Sequence, residues 1–126
     1  LAHPGLVAVL ERLRESFNAN AVALAAARAA LDDQDHLARV RRDNAAEREA
    51  LADALRARGL AVHPSQTNFL LVGFGREAAP IAAGLVERGV VPRPMAGYGL
   101  PAHLRITVGT RGQNAALLRA LDEVLT

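Results

Sequence analysis

The spacing of apolar residues changes at Gly59, and this change limits the chain to folds that combine long helices with a small sheet. Before Gly59, apolar residues recur every three or four positions, for example at Leu6, Val9 and Leu10, as on the buried face of an amphipathic helix. Beyond Gly59, short apolar runs alternate with further helical stretches. The first part of the chain therefore predicts helices over 6–13, 21–31 and 35–58.

The residues after Gly59 predict an α+β layer with helices on one small sheet. Strands are expected over 60–62, 68–74, 90–93 and 104–108, and helices over 77–88 and after Thr110. Thr110 and Gln113 have the spacing of a capping box, S/T-x-x-E/Q, which marks the start of the last helix. The order ββαββα thus follows two alanine-rich helical segments and one long helix. The nearly continuous apolar run at 68–74 indicates a strand buried on both faces.

Composition excludes several classes of protein. Hydrophobic residues make up 51% of the 126-residue chain, which argues against disorder, and the absence of cysteine excludes disulfides and a thiol nucleophile. All 15 basic residues are arginine and are interleaved with 13 acids, so no basic stripe for nucleic acid is expected. No apolar run reaches the roughly 18 residues of a membrane-spanning helix, so no membrane partner is expected.

Arg105 interrupts an otherwise apolar strand and is the first candidate site residue. Period-2 alternation places Leu104 and Ile106 on one face of this strand and Arg105 on the other. From this pattern alone, Arg105 is either a solvated side chain on a one-sided sheet or an anchor for a carboxylate or phosphate. Arg93, at the end of the preceding predicted strand, and Tyr98, between two glycines, favour the second interpretation, because two guanidinium forks can hold one anion.

Other residue types give weaker signals. The four histidines (His3, His36, His63 and His103) lack the spacing of metal ligands, so they are interpreted as surface or turn residues, and no metal site is expected. Ser16 and Ser65 lack the context of a catalytic nucleophile. Asp32, Asp33 and Asp35 precede the long helix and are interpreted as acids at a helix start. The charged run in the middle of that helix is interpreted as a solvated face.

Three segments resemble the histidinol-phosphate aminotransferase family of fold-type I pyridoxal-phosphate enzymes. They are ESFNANAVALAAARAAL at 15–31, PSQTNFLLV at 64–72 and RGVVPRPMAGYGLPAHLRITVGT at 88–110, and the last is the most specific. The resemblance covers essentially the whole chain but only the C-terminal part of the family. It implies that residues 1–34 end a large cofactor-binding domain, and that 35–126 form a connecting helix and the small C-terminal domain.

The resemblance also implies site residues and partners. Arg105, with Arg93 beside it, would bind the carboxylate of glutamate or the phosphate of histidinol phosphate, and Tyr98 and Asn20 would lie near the substrate or cofactor. The whole enzyme would be a cytoplasmic homodimer of histidine biosynthesis that uses pyridoxal 5′-phosphate for amino transfer. One anion site can serve both half-reactions, because the two amino donors share an amine and an anionic group.

Two departures from the family limit what the isolated chain is expected to do. The family binds its cofactor through a lysine, and this chain contains none, so no catalytic residue, no covalent cofactor and no activity of the chain alone are expected. Residues 21–24 read AVAL where the family commonly has SLAQ. The alternatives are an aromatic-amino-acid aminotransferase, a phosphothreonine decarboxylase, or a non-catalytic remnant acting as a folding or dimerisation module.

Overall fold

The computed structural model describes residues 2–16 and 18–126, which form two compact units, 1–38 and 39–126. The elements are, in chain order, α1 (Pro4–Glu11), α2 (Ala21–Asp32), α3 (Gln34–Arg56), β1 (Ala61–Val62), β2 (Phe69–Gly73), α4 (Ala79–Glu87), β3 (Arg93–Pro94), a 3₁₀ turn (Ala96–Tyr98), β4 (His103–Thr107) and α5 (Arg111–Leu125). The order ββαββα after the long helix is confirmed. None of the described helices is both long and apolar enough to cross a membrane.

The four strands form one antiparallel sheet in the order β1-β2-β4-β3. One face of this sheet carries Leu70, Val72, Leu104 and Ile106, which are almost fully buried. Apolar residues of α3, α4 and α5 join them in a single core. The helical members of this core are Leu51, Ala52, Leu55, Ile81, Ala82, Leu85, Leu117, Ala120 and Leu121. The helices therefore cover one face, and the other face carries the candidate site.

Local capping chemistry sets the ends of several helices. Thr110 and Gln113 form the reciprocal hydrogen bonds of a capping box at the start of α5, as the spacing predicts. Asp33 accepts a hydrogen bond from the backbone N–H of His36, so it caps α3 as an acid at a helix start. Gly59 and Gly89 follow α3 and α4 with φ of +76°, a conformation that glycine adopts without strain.

Two predictions about the strands are wrong in detail. The strand expected over 90–93 is shorter and begins at Arg93. The N–H of Val90 bonds to Leu85 O to close the end of α4, and Pro92 has no N–H to give to the sheet. Strand β2 is buried on one face only, because its outward residues Phe69 and Leu71 are half-exposed in this chain.

The middle of α3 is not simply a solvated face. Arg41 and Arg42 are exposed as expected, but the next helical turn makes long-range contacts. The Asn44 side chain and the Arg48 guanidinium both donate to Thr67 O, at 3.2 and 3.1 Å. These bonds hold the loop before β2 against the helix. The sequence did not predict these bonds, because the one acceptor that they share is the backbone carbonyl of Thr67, which lies far along the chain.

Helices α1 and α2 have no buried residue among the described part of the chain. An alanine-rich helix such as α2 has little side-chain bulk and can approach another backbone closely, but it buries none of its described residues within this chain. The large apolar side chains of α1 and α2 are instead exposed, and so is Leu13 after α1, with Leu13 at 77% and Val22 at 79%. Helix α1 begins at Pro4, a residue that suits the first turn of a helix, and it ends at Glu11, two residues before the end of the predicted segment.

Candidate anion-binding site

Strands β3 and β4 place two arginines side by side on the sheet face that the helices leave uncovered. Arg93 and Arg105 are direct register partners in the antiparallel pair, so their side chains leave the sheet on the same face. Like charges directly opposite each other destabilise a strand pair. Among the described residues, no carboxylate forms an ion pair with either guanidinium. The pair therefore concentrates positive charge that an anion would neutralise.

An aromatic ring holds the Arg105 guanidinium. Phe69 lies diagonally across the β2–β4 ladder, and the Cζ atom of Arg105 is 4.9 Å from the centre of its ring. This distance is within the range of a favourable cation–π contact. The Nε atom of Arg105 is buried and has no hydrogen-bond partner among the described residues. A buried N–H donor without a partner is uncommon in folded proteins, and a bound anion would supply the missing acceptor.

Arg93 is held by the second candidate on the loop. Its Nη2 atom donates to Tyr98 Oη at 2.9 Å, and its Cζ atom is 5.6 Å from the centre of the tyrosine ring. Tyr98 belongs to the 3₁₀ turn after β3, and Gly99 ends that turn with φ of +75°. The structure thus brings together three of the predicted site residues: Arg105, Arg93 and Tyr98.

Asn20 has a local role that explains its residue type. It lies in the unit 1–38, where its Oδ1 atom accepts a hydrogen bond of 2.8 Å from Ala23 N and caps α2. The segment 21–24, which departs from the family pattern, is the first turn of this helix. A cap residue of this kind needs no ligand to account for it.

Asn114 is a supporting residue that the sequence analysis missed. It is buried in α5 and binds both backbone groups of Gly109, accepting from its N–H at 2.9 Å and donating to its carbonyl at 3.1 Å. The same side chain donates to Glu47 of α3 at 2.9 Å. Gly109 follows the strand that carries Arg105, so this network fixes the end of β4. A buried asparagine inside a helix is unusual, but the sequence alone does not show that this residue is buried.

The arginine pair lies on an open sheet face. A cleft of about 350 Å³ lies at the end of the sheet where β3 is short, between Val91, Thr107 and Gln113. A second cleft of about 400 Å³ lies between α3 and the 63–66 turn. Neither cleft is lined by Arg93 or Arg105. A substrate held at the arginines would therefore need further walls.

Comparisons with known proteins identify the family of the chain. The profile of the aminotransferase class I and II family matches residues 1–121. Histidinol-phosphate aminotransferase 2 of Pseudomonas fluorescens Pf-5 is 50% identical over 125 residues, which are 99% of this chain and 34% of that protein. The chain thus spans about a third of the length of the curated relatives it matches.

Solved structures agree with this relationship. The crystal structure of histidinol-phosphate aminotransferase from Sinorhizobium meliloti, in complex with pyridoxal-5′-phosphate, superimposes with a TM-score of 0.77 and 31% identity. It is matched over 97% of this chain and 34% of that one. A decarboxylase from Sulfurospirillum multivorans gives a TM-score of 0.78 and 27% identity, over 97% of this chain and 36% of that one. The α+β fold and the family profile lead to one conclusion: the chain belongs to the class I and II aminotransferases.

Proposed function

We propose that this chain is the part of a pyridoxal-phosphate aminotransferase that binds the anionic group of the substrate. The observation that carries the proposal is the register pair of Arg93 and Arg105 on the uncovered sheet face. The whole protein would transfer an amino group between glutamate and imidazole acetol phosphate, the reaction of histidinol-phosphate aminotransferase. The high identity to proteins of that name supports this choice of substrate.

The two guanidinium groups suit both substrates. A guanidinium binds a carboxylate or phosphate through two parallel hydrogen bonds, which fix orientation as well as position. Phe69 beneath Arg105 and Tyr98 against Arg93 restrict the motion of both groups before the anion arrives. In both substrates the carbon that bears the amine has an anionic group close to it, the α-carboxylate in glutamate and the phosphate ester, one methylene further, in histidinol phosphate. Holding the anion here would therefore place either amine at the same reacting position.

The residues of this chain fit the substrate anion but not the attachment of the cofactor. Pyridoxal phosphate supplies the electron sink of amino transfer and is held in this family by a lysine. The chain contains no lysine, so this attachment would come from residues outside it. We expect the isolated chain to be inactive and to hold no covalent cofactor. The whole protein would be a cytoplasmic homodimer.

In the whole protein, we expect a boundary between two domains to fall within this chain. Residues 1–34 would end the large cofactor-binding domain, and 35–126 would form the connecting helix and the small domain. A division near this point is supported by the two compact units, 1–38 and 39–126. Asn20, in the first unit, would then lie on the side of the cofactor.

Decarboxylation is the second candidate function, and one observation supports it. The similarity to a solved decarboxylase means that the same fold supports more than one reaction. A phosphothreonine decarboxylase would also use an arginine pair to hold a phosphate. An aromatic-amino-acid aminotransferase would need to bind only a carboxylate, so phosphate dependence separates it from the first proposal.

A hybrid enzyme tests the proposal. In it, the matched third of the Pseudomonas fluorescens relative is replaced by this chain, and the relative itself is the positive control. We expect the hybrid to transaminate histidinol phosphate with 2-oxoglutarate in strong preference to phenylalanine, and to release no carbon dioxide from phosphothreonine. A folded, cofactor-loaded hybrid that prefers phenylalanine or decarboxylates phosphothreonine would reject the proposed substrate.

A further inference from the structure

Two histidines, one after β1 and one in β4, meet over the strand β2 that lies between them. His103 begins β4, and His63 directly follows β1, where its N–H continues the ladder by bonding to Leu71 O. Strand β2 lies between β1 and β4, yet the Nε2 atoms of the two histidines are only 3.3 Å apart. The local spacing of these residues, 40 positions apart in sequence, gave no sign of this contact.

Gly73 allows the two imidazoles to meet. It is the register partner of both Ala61 and His103, so it occupies the position on β2 over which the rings extend. A Cβ atom built at Gly73 would lie 3.0 Å from His103 Nε2, closer than side chains normally tolerate. A side chain at this position would force the His103 ring to shift from the place where it contacts His63. The missing side chain therefore leaves space for the histidine pair.

The distance between the two nitrogens fits one metal ion. Imidazole nitrogens bind Zn²⁺ at about 2.0–2.1 Å, and tetrahedral angles then place two of them about 3.3–3.4 Å apart. The His63–His103 distance of 3.3 Å lies in this range, whereas it is long for a hydrogen bond. We propose that His63 and His103 form a binding site for a zinc-class divalent ion. This proposal does not depend on the proposed amino transfer.

The surroundings determine the character of the site. His103 Nδ1 is buried, so Nε2 is the ring nitrogen that an ion can reach. Among the described residues, no third histidine, cysteine or carboxylate completes a cluster with the pair. The remaining positions on the ion would therefore be filled by water, which makes the ion exchangeable. His103 Nδ1 has no partner among the described residues, and since ligand histidines normally donate this N–H, the affinity would be below that of a structural zinc site.

Calorimetric titration of the untagged 126-residue chain with zinc chloride tests the site. We expect one Zn²⁺ per chain, and His63→Asn or His103→Asn should each weaken binding by about tenfold or more, since each removes one of two protein ligands. Gly73→Ala should also weaken it, because the new Cβ displaces the His103 ring. The matched control is the double variant His3→Asn/His36→Asn, which removes the other two histidines and should leave binding unchanged.

Thermal unfolding provides a second readout that separates loss of the ion from loss of the fold. His63 is exposed, so His63→Asn should keep the melting temperature of the metal-free chain. Zn²⁺ should then raise the melting temperature of the wild type but not of this variant. The proposal is overturned if Zn²⁺ does not bind, if binding survives both single replacements, or if it is lost in the His3/His36 control. The first of these results would leave only a hydrogen-bonded histidine pair.

Discussion

At positions 93 and 105, two arginines occupy directly opposite places on neighbouring strands, where unlike charges would be more stable. Each is restrained by an aromatic neighbour, Phe69 under Arg105 and Tyr98 against Arg93. Restraint of this kind keeps the guanidinium planes in place without neutralising their charge. Two arginine side chains that keep their positive charge and have little freedom to move are suited to binding an anion.

The contact between Phe69 and Arg105 can be measured by a double-mutant cycle. We expect Phe69→Leu and Arg105→Gln, alone and together, to show a coupling of about 0.5–1 kcal/mol in the free energy of unfolding, the size of a partly exposed cation–π contact. Urea titrations of the four proteins measure it. Strictly additive effects would mean that the ring does not interact with the guanidinium. Phe74→Leu with Arg105→Gln serves as the matched cycle, because the Phe74 ring packs against the hydrophobic core.

At the scale of residues, the sequence predicted those features that depend only on neighbouring positions in the chain. The alternation of β4 predicted that Arg105 leaves the core face, and the structure confirms that Leu104 and Ile106 are buried while Arg105 is only half-buried. It could not find Phe69, because a diagonal neighbour depends on the register between β2 and β4. The His63–His103 contact was missed for the same reason, since it extends across a third strand.

At the scale of elements, one ion pair joins the segment after α3 to α5. The Arg58 guanidinium donates two hydrogen bonds to the Asp122 carboxylate, from Nε at 2.6 Å and from Nη2 at 2.7 Å. These hydrogen bonds lower the pKa of Asp122 and raise the pKa of Arg58. Asp122 lies near the C-terminus of α5, where the helix dipole disfavours an acid, so Arg58 offsets an unfavourable position.

The lowered pKa of Asp122 predicts a dependence of stability on pH. A carboxyl group with a lower pKa in the folded state stabilises that state above its unfolded pKa of about 3.9, and the contribution disappears as pH falls through the folded value. Asp122→Asn should therefore be less stable than wild type near neutral pH, and the difference should shrink in acid. Urea unfolding across this range measures it. A difference that is constant with pH would show that the charge of Asp122 is not responsible.

Replacing glycine by alanine should change the stability of the fold in opposite directions at Gly89 and Gly112. Gly89 has φ of +76° after α4, so Gly89→Ala should destabilise the fold by about 1 kcal/mol through backbone strain. Gly112 lies in α5 with open space around it, so Gly112→Ala should stabilise the fold by about 0.5–1 kcal/mol through helix propensity. Thermal and urea unfolding of both variants provide the comparison. Equal signs for the two would contradict the assigned backbone conformations.

Element boundaries were predictable where a cap marks them. The capping box at Thr110 and the glycines after α3 and α4 act within a few residues, so the sequence contains all the partners. Strand β3 was less predictable, because its start depends on how the end of α4 uses the Val90 N–H. The contacts of Arg48 and Asn44 with the Thr67 carbonyl were likewise invisible, since the acceptor is a backbone group of a distant loop.

At the scale of the whole molecule, the two compact units differ in how they bury apolar residues. The unit 39–126 has a continuous core, whereas α1 and α2 of the unit 1–38 expose their leucines and valines. Exposed apolar surfaces of this extent favour association. The sequence predicted part of this contrast, because the predicted ββαββα layer comprises only residues after Gly59. That a further domain would cover the first helices was implied only by the family resemblance.

The exposed helices predict that the isolated chain self-associates. Sedimentation velocity over a range of concentrations should show species larger than a monomer, and Leu10→Glu with Leu24→Glu should shift the chain toward the monomer by placing charge on these faces. Val91→Glu is the control, because Val91 is 81% exposed but lies in the other unit. A wild-type chain that stays monomeric at high concentration would contradict this prediction.

The reaction itself lies partly beyond what this chain contains. Counting residues already showed that no lysine is available to hold the cofactor, and the family match covers only a third of the relatives' length. What the chain contains is the arginine face, which we propose binds the substrate anion. The central claim is therefore about binding of the substrate anion, and the hybrid enzyme allows that claim to be tested in a catalytic setting.

The most direct measurement is kcat/KM for histidinol phosphate in the hybrid enzyme with Arg105→Lys, compared with Arg119→Lys. Arg119 is exposed on α5, away from the β3–β4 pair, so it controls for the loss of any guanidinium. We expect Arg105→Lys to lower kcat/KM by about 10- to 100-fold, the loss of a charged bidentate contact, and Arg119→Lys to leave it unchanged. If both variants match the unmodified hybrid, Arg105 does not hold the substrate anion.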